Sequence, residues 1–255
     1  MKLYGLIGYP LGHSFSKGYF KEKFEKENIT DCQYENFPIP NISDFPALLA
    51  QHPDLKGLNV TIPYKEVVIP YLDELTPAAE KIGAVNCIDI RNGVKRGYNT
   101  DVIGFTRSLE PLLQPHHNRA LVLGTGGAAK AVIYALQQLG IHVTVVSRQG
   151  TSHAVAYHQL TPELLEANTI IINTTPLGMY PEVTTCPDIP FQYITSRHLL
   201  YDLVYNPAAT TFLQKGAEKG AIIKNGHEML ILQAEASWEI WNGGFSQRRK
   251  KSKEA

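Results

Sequence analysis

The stretch that decides the fold is Ala120-Leu-Val-Leu-Gly124-Thr-Gly126-Gly127-Ala128-Ala129, in which an apolar run meets a glycine-rich turn. The apolar run predicts a short buried strand, and the alanine-rich sequence after it predicts a helix that ends near Leu139. The turn fits the pattern G-x-G-x-x-G/A: Gly124 permits the tight turn, Gly126 lets the backbone approach a pyrophosphate, and the small Ala129 allows close helix–strand packing. We therefore predict a dinucleotide-binding turn; a tight turn of purely structural role is the alternative.

The end of the next predicted strand indicates which dinucleotide binds. In NAD-binding folds an acidic residue about 20 positions after the glycines holds the ribose 2′-hydroxyl. Here the predicted strand 142–146 is followed by Ser147 and Arg148, and no carboxylate is present. A hydroxyl and a planar guanidinium can both bind a 2′-phosphate, which predicts NADP as the cofactor. On these residues alone, Arg148 could also be a solvated charge at the strand end.

Strands and helices alternate along the chain, which predicts an α/β fold with a mainly parallel sheet. The glycine turn begins at residue 124, so a complete α/β segment precedes the nucleotide-binding part. We therefore predict two domains. Residues 1–101 with 226–255 are expected to form an N-terminal α/β domain that binds the substrate and carries catalysis. Residues 102–225 are expected to form a Rossmann-type NADP-binding domain with a parallel sheet.

Apolar periodicity and turn residues place the individual elements. Ser43 is a candidate N-cap, Asn92-Gly93 predicts a hairpin turn, and Gly140 fits the position after a helix end. Predicted strands cover residues 3–7, 34–37, 55–60, 84–91, 94–98, 120–123, 142–146, 169–173, 199–204 and 221–223. Predicted helices cover residues 16–28, 43–51, 65–72, 77–82, 101–113, the segment up to 139, a segment starting at 162, and 226–241.

The composition excludes several classes of function. The 255 residues are 44% hydrophobic, and 24 basic residues balance 24 acidic ones. A neutral chain gives no reason to expect a nucleic-acid or membrane partner. The basic run at 248–253 is interpreted as a solvated terminus, with a weak electrostatic anchor as the alternative.

Three cysteines lie far apart and form no C-x-x-C pair, which argues against disulfides and a zinc site, so no metal is predicted. The N-terminus is too broken by Gly and Pro for a signal peptide, and no run of apolar residues is long enough for a membrane span. We expect a soluble cytoplasmic protein, monomeric or homodimeric, whose partner is a small molecule.

Small polar residues cluster where the predicted strands of the first domain end. Ser14 and Ser16 are spaced so that both hydroxyls can point at one anion, although they could instead cap the following helix. Asn59 and Thr61 follow the third strand and can hydrogen-bond a ligand, because ligands of α/β sheets bind beyond the carboxyl ends of strands.

Two charged residues close to these segments are candidates for catalysis. Lys65 can supply a proton or a charge, or be a solvated surface lysine. Asp101 stands at the start of a predicted helix, where it could be only an N-cap.

Together these segments resemble the shikimate dehydrogenases. The shared pattern is H-S-x-S at 13–16, N-V-T-x-P-x-K at 59–65, G-A-x-N at 83–86, N-T-D-x-x-G-F at 99–105 and the glycine turn. It continues through Ile172–Met179, Tyr201–Pro207 and Asn225–Ala234. The resemblance implies the NADP-dependent reduction of 3-dehydroshikimate to shikimate in aromatic amino-acid biosynthesis.

The resemblance also implies the roles of individual residues. Lys65 and Asp101 match the catalytic pair. The implied substrate-binding residues are Ser14, Ser16, Thr61, Asn86, Tyr205 and Gln233, to which the position after the third strand adds Asn59. Without the motif, Gln233 could be a satisfied buried amide. The implied cofactor-binding residues are Gly124, Gly126, Gly127, Ala128, Ser147, Arg148, Asn173, Thr174, Met179 and Gly226.

The chain departs from the family pattern at a few positions. Lys17 stands where the family usually has Pro, Cys87 replaces Thr, and Ser147-Arg148-Gln149 replaces Asn-Arg-Thr.

Two other functions are the alternatives to this interpretation. One is an NAD-preferring quinate/shikimate dehydrogenase, against which Arg148 argues. The other is a non-catalytic, nucleotide-sensing relative, which should have lost Lys65 or Asp101.

Overall fold

The computed structural model describes residues 1–12 and 15–243. It divides into two compact units, one built on Met1–Thr100 and the chain from Ala234 onward, the other on Asp101–Gln233. The functions assigned to the two predicted domains stay predictions.

The first unit is built on a mixed six-stranded sheet. Its elements are β1 (Lys2–Gly8), α1 (Phe15–Lys26), β2 (Cys32–Pro38), α2 (Phe45–Gln51), β3 (Leu55–Val60), β4 (Glu74–Leu75), α3 (Pro77–Ile82), β5 (Cys87–Arg91) and β6 (Val94–Tyr98). The strand order is β2-β1-β3-β5-β6-β4, in which β1 is parallel to both of its neighbours and β5 is antiparallel to both of its own. The predicted hairpin is confirmed, because Asn92 and Gly93 join β5 to β6 with positive φ angles of 51° and 80°.

Both faces of this sheet are covered by apolar side chains. Along β1, Leu3 and Ile7 enter one buried cluster, whereas Tyr4 and Leu6 enter the cluster on the other face. This alternation is the period of two that a strand imposes. Gly57 on β3 admits the indole of Trp241, since a Cβ at this position would lie 2.2 Å from the indole nitrogen.

The second unit contains a parallel six-stranded sheet. Its elements are α4 (Asp101–Leu109), β7 (Arg119–Leu123), α5 (Gly127–Gln138), β8 (His142–Ser147), β9 (Val155–Ala156), α6 (Pro162–Ala167), β10 (Ile170–Asn173), β11 (Leu199–Asp202), α7 (Thr211–Glu218) and β12 (Ile222–Lys224). The last helix, α8 (His227–Trp241), includes residues of both units. The strand order is β12-β11-β10-β7-β8-β9. Counted from β7, this is the doubly wound order 3-2-1-4-5-6, in which dinucleotides bind where the order reverses, between β7 and β10.

The predicted α/β fold class with a Rossmann-type parallel sheet is confirmed, but several local predictions are wrong. Ser43 is not an N-cap, because residues 42–44 form a 3-10 turn and α2 begins only at Phe45. The predicted helix 65–72 is reduced to a 3-10 turn at Ile69–Tyr71. Pro70 lacks the N–H that a helix needs at this position. The predicted helix 101–113 is also shorter: α4 ends at Leu109, and a 3-10 turn that contains Pro111 follows it.

Candidate active site

The glycine turn after β7 has the geometry of a phosphate cradle. Gly124 has a φ of 115°, and a Cβ there would lie 2.6 Å from the hydroxyl oxygen of Thr174, so only glycine fits. The first helical hydrogen bond of α5 runs from the Lys130 amide to the Gly126 carbonyl, which leaves the amides of residues 127–129 ahead of it. A Cβ on Gly126 would meet no other atom within 4 Å, so the space beside it is open. These features fit a pyrophosphate held at a helix N-terminus.

The predicted 2′-phosphate residues lie at the carboxyl end of β8. Arg148 is exposed there. The Ser147 hydroxyl oxygen accepts a hydrogen bond from the Gly150 amide at 3.1 Å, which leaves its hydrogen to donate to an anion. Burial raises the pKa of Tyr157, and the positive charge of Arg148 opposes that shift. A hydroxyl and a guanidinium thus stand together where the fold presents the adenosine ribose.

The segment 173–179 after β10 is shaped by its first residue. Asn173 is fully buried, and its side-chain oxygen accepts from the amide and the hydroxyl of Thr175 at 3.0 and 2.6 Å. Its side-chain nitrogen donates to Asp202 at 3.0 Å and to the Leu177 carbonyl at 3.3 Å. Asn173 therefore holds the loop, whereas Met179 is 47% exposed at the end of the loop.

Two further predicted residues lie next to the end of β11. Gly226 is required by close packing, because a Cβ there would lie 2.1 Å from the Leu203 carbonyl oxygen. Its amide donates to the Val204 carbonyl at 3.2 Å. Tyr205 is the residue after Val204, and 37% of its surface is exposed.

In the first unit, a buried chain of hydrogen bonds joins several predicted substrate residues. Ser16 lies inside α1, so it does not cap that helix. Burial raises the pKa of Tyr34, and the Ser16 side chain opposes that shift. Tyr34 donates to the side-chain oxygen of Asn59 at 2.9 Å. The Asn59 amide nitrogen donates to Ser237 at 2.9 Å and to the Asn86 carbonyl at 3.3 Å. These internal partners fix the orientation of the Asn59 side chain, and its contact with a ligand stays a prediction.

Asn86 is held by the residue that precedes α4. Its side-chain oxygen accepts from the Thr100 amide at 2.6 Å, and its amide nitrogen donates to the Thr100 hydroxyl at 3.0 Å. The Thr100 and Ser237 hydroxyls are 3.2 Å apart, which joins this pair to the Asn59 chain.

The remaining predicted residues of the first unit follow β3. The Thr61 amide donates to the Ile7 carbonyl at 2.9 Å, which fixes Thr61 beside the end of β1. The Lys65 carbonyl accepts from the Val85 amide at 2.7 Å, which anchors the lysine backbone next to Asn86. Ser14 lies outside the described residues, as does the basic run at 248–253.

In the second unit, Asp101 is the first residue of α4 and is only 7% exposed. Gly104, one turn later, allows α4 to pack against α8, since a Cβ there would lie 2.5 Å from the Met229 carbonyl oxygen and 3.1 Å from the Gln233 Cβ. Gln233 is buried on α8, and its amide nitrogen donates to the Leu230 carbonyl at 2.9 Å. This close packing brings the two helices that carry Asp101 and Gln233 together.

Sequence reasoning did not single out four residues of these networks. Tyr34 and Ser237 belong to none of the family motifs, and no signal in the sequence distinguishes them from ordinary core residues. Thr100 and Asp202 lie inside such motifs, and this position in a motif could have identified them as candidates.

Neither a metal site nor a membrane span is found in the part of the chain that the structure describes. Residues 1–12 and 15–243 contain no group of three or more side chains that could hold a metal ion. Within the same ranges, no helix is long and apolar enough to cross a membrane.

The doubly wound sheet with its glycine turn at the switch point defines a dinucleotide-binding α/β protein. A family model for the substrate-binding domain of shikimate dehydrogenase matches residues 6–88. The chain is 36% identical over 260 residues to the shikimate dehydrogenase (NADP(+)) of Caldanaerobacter subterraneus subsp. tengcongensis, with 96% of this chain and 92% of that protein covered.

Solved structures give the same result. Shikimate dehydrogenase 1 of Peptoclostridium difficile superposes with a TM-score of 0.82 at 38% identity and covers 95% of this chain and 92% of its own. The Thermus thermophilus enzyme in complex with NADP(H) and shikimate gives 0.85 at 30% identity, covering 95% and 94%. This chain belongs to the shikimate dehydrogenase family, which confirms the resemblance found in the sequence motifs.

Proposed function

We propose that this chain is an oxidoreductase that interconverts 3-dehydroshikimate and shikimate with NADP(H), a step of aromatic amino-acid biosynthesis. The observation that carries the proposal is the match to an NADP(+)-dependent shikimate dehydrogenase over 96% of the chain, with Lys65 and Asp101 both retained. The retained pair argues against a non-catalytic relative. Fold alone would leave the substrate open, because one fold hosts many activities.

The residues present fit the cofactor. The amides of residues 127–129 and the open space beside Gly126 would hold the pyrophosphate, and Ser147 with Arg148 would hold the 2′-phosphate. Thr174, Met179 and Gly226 would lie on the nicotinamide side. The chemistry that NADP(H) supplies when bound is hydride transfer at the carbon that bears the reacting oxygen.

Lys65 and Asp101 would handle the proton at that oxygen. In the direction of reduction, protonated Lys65 polarises the ketone and delivers its proton to the oxygen. In the direction of oxidation, neutral Lys65 accepts the hydroxyl proton, and Asp101 positions the oxygen. The opposite assignment, with Asp101 as the proton carrier, is the second form of this mechanism, since a carboxyl group can also exchange a proton with the reacting oxygen.

The substrate is bound by groups that match its two kinds of polar atoms. Ser14 and Ser16, assisted by Tyr205, would donate to the carboxylate. Thr61, Asn86 and Gln233 would contact the ring hydroxyls. The support for Asn86 is its fixed geometry, because Thr100 holds both ends of its amide.

A cytoplasmic location and a monomeric or homodimeric state belong to the proposal as well. The location is supported by the three cysteines, all of which are free thiols.

The experiment measures absorbance of the reduced nicotinamide with purified protein, shikimate, and either NADP or NAD. A rise with shikimate and NADP, and little with NAD, is expected. A comparable or faster rise with NAD or with quinate would move the chain to the quinate/shikimate branch. No rise with any pair from folded protein would overturn the proposal.

A further inference from the structure

Asp202 is a buried carboxylate to which the proposed reaction assigns no role. It ends β11, is fully buried, and receives three hydrogen bonds. Its Oδ1 accepts from the Asn173 side-chain amide and from the Val204 backbone amide, each at 3.0 Å. Its Oδ2 accepts from the Thr210 hydroxyl at 2.6 Å. Burying a carboxylate costs free energy unless donors of this kind compensate it.

The three donors belong to three different segments. Asn173 opens the loop 173–179, and the rest of its amide shapes that loop through Thr175 and Leu177. Val204 immediately precedes Tyr205. Thr210 is the N-cap of α7, where its hydroxyl oxygen also accepts from the Leu213 amide.

The far end of the loop 173–179 lies next to Thr210, one of the residues that bond Asp202. Gly178 has a φ of 90°, and a Cβ there would lie 3.3 Å from the Thr210 Cβ. One end of the loop is thus bonded to Asp202, and the other end lies against a residue that Asp202 holds. Burial raises the pKa of Asp202 to about 6, although all three donors lower it. The desolvation at this position is therefore large, and a side chain of purely structural role would ordinarily be apolar here.

We propose that Asp202 is a positioning residue that fixes the loop 173–179 and the segment before Tyr205 in one arrangement. The inference rests on the proposed function, in which this loop faces the nicotinamide and Tyr205 assists binding of the substrate carboxylate. Asp202 touches neither ligand in this scheme; it acts through Asn173, Val204 and Thr210. Because misplacement by about 1 Å can cost about a hundredfold in rate, loss of Asp202 should show in turnover.

The test compares Asp202→Ala with Tyr201→Phe. Tyr201 is the neighbouring residue on β11, is fully buried, and has its hydroxyl 2.7 Å from the Ser108 hydroxyl, away from both loops. Both variants lose buried hydrogen bonds, but only one loses the tie to the loops. At a temperature where both are folded, Asp202→Ala is expected to lower kcat/KM for NADP by about tenfold or more, and Tyr201→Phe by less than about twofold.

Asp202→Asn is the conservative rescue. Its amide oxygen can accept from Asn173 and Val204, and its amide nitrogen can donate to the Thr210 hydroxyl oxygen. We expect kcat/KM within about threefold of the wild type. If Asp202→Asn were as impaired as Asp202→Ala, a role of the charge would replace the positioning role. Equal loss in Asp202→Ala and Tyr201→Phe would leave only a role in stability.

Two measurements keep the test decisive. If Asp202→Ala does not fold, Thr210→Val removes a single donor and Thr210→Ser is its control; a rise in KM for NADP is expected only for Val. Hydrogen exchange of the Thr175 and Leu177 amides needs no turnover and should be faster in Asp202→Ala than in Tyr201→Phe. Equal exchange overturns the loop assignment, whereas absent wild-type turnover overturns the proposed function instead.

Discussion

At the scale of single residues, the direction of each hydrogen bond limits what a side chain can offer a ligand. Tyr34 has one hydroxyl hydrogen and gives it to the Asn59 side-chain oxygen, so it has no hydrogen left to donate to a ligand. The Asn59 amide cannot turn over, since its oxygen faces a donor and its nitrogen faces two acceptors.

Replacement of Lys65 tests the assigned proton carrier. Lys65→Ala should lower kcat by about 10²- to 10⁴-fold, the usual contribution of a positioned acid or base, with a much smaller change in KM for shikimate. Steady-state kinetics in both directions measure this. Lys56→Ala, on an exposed position of β3, is the matched control and should keep full activity. An unchanged kcat in Lys65→Ala would remove Lys65 from the mechanism.

Arg148 should determine the choice between the two nicotinamide cofactors. A hydrogen bond to a charged group contributes about 1.5–3 kcal/mol, so Arg148→Ala should lower kcat/KM for NADP by about ten- to a hundredfold. The value for NAD, which lacks the 2′-phosphate, should change little. Arg119→Ala, at the exposed start of β7, controls for loss of a surface cation. Equal losses with both cofactors would show that Arg148 does not bind the 2′-phosphate.

Residue types with a special chemical or conformational role could be predicted from the sequence. Gly124 and Thr161 are examples, because a positive φ needs glycine and a helix start favours a Thr cap. Tyr34 and Ser237 could not be found, since a buried hydroxyl looks like any core residue until its partner is known. Asn59 was predicted to bind a ligand, but its internal partners Tyr34 and Ser237 could not be predicted, because they come from β2 and α8, far away in sequence.

At the scale of elements, the glycine turn offers two substitutions with different expected results. Gly124→Ala forces a side chain into a positive φ and against Thr174, so it should lower the free energy of unfolding. Gly126→Ala has an ordinary φ and open space, so stability should hold while NADPH affinity falls. Urea titration and NADPH fluorescence measure the two effects. Full NADPH affinity in Gly126→Ala would contradict the pyrophosphate assignment.

A buried histidine makes the loop before β11 sensitive to acid. His198 accepts from the Thr195 amide at Nδ1 and is 3.1 Å from the Leu165 carbonyl at Nε2, which requires a neutral ring with its proton on Nε2. Burial lowers the pKa of His198 below its ordinary value of 6.5. The unfolded chain therefore binds the proton first, so this contribution to stability is present above about pH 6.5 and lost below it.

His198→Asn tests this linkage. The variant should be less stable than the wild type near pH 7.5, because the bond to Leu165 is lost, yet lose less additional stability on acidification to about pH 5.5. Urea midpoints at the two pH values give the comparison. His158→Asn, at an exposed position, should follow the wild type. An acid loss as large in His198→Asn as in the wild type would assign the effect to other groups.

Helices and strands were predicted best where the apolar periodicity agrees with the residues that start and end an element. Pro77–Ile82 lies between a Thr cap and Gly83, and it forms the predicted helix. Helix α7 was not predicted, although Thr210 caps it and its buried residues Phe212, Leu213 and Gly216 share one face, because it is only eight residues long and contains a glycine. The predicted helix at 65–72 failed because its apolar residues suited a helix while Pro70 did not.

At the scale of the whole molecule, cofactor binding should stabilise the fold. A ligand at a hundred times its Kd adds about 2.7 kcal/mol, which for a chain of this size raises Tm by about 5 °C or more. Thermal melts with equal concentrations of NADPH and NADH should show the larger shift with NADPH. Arg148→Ala should abolish that difference. Equal shifts in the wild type would contradict the predicted cofactor preference.

The second unit lies within the sequence of the first, so the two units can be completed only in a certain order during synthesis. The sheet formed between residues 119 and 224 is contiguous, so all its strands have left the ribosome once β12 emerges. The core of the first unit cannot be completed until Trp241 has been synthesised. The Trp241 indole covers Gly57, stacks on Tyr4 and donates to the Ile88 carbonyl at 3.0 Å. Both tryptophans of the chain, Trp238 and Trp241, contact Tyr4. Intrinsic tryptophan fluorescence therefore reports the joining of α8 to β1.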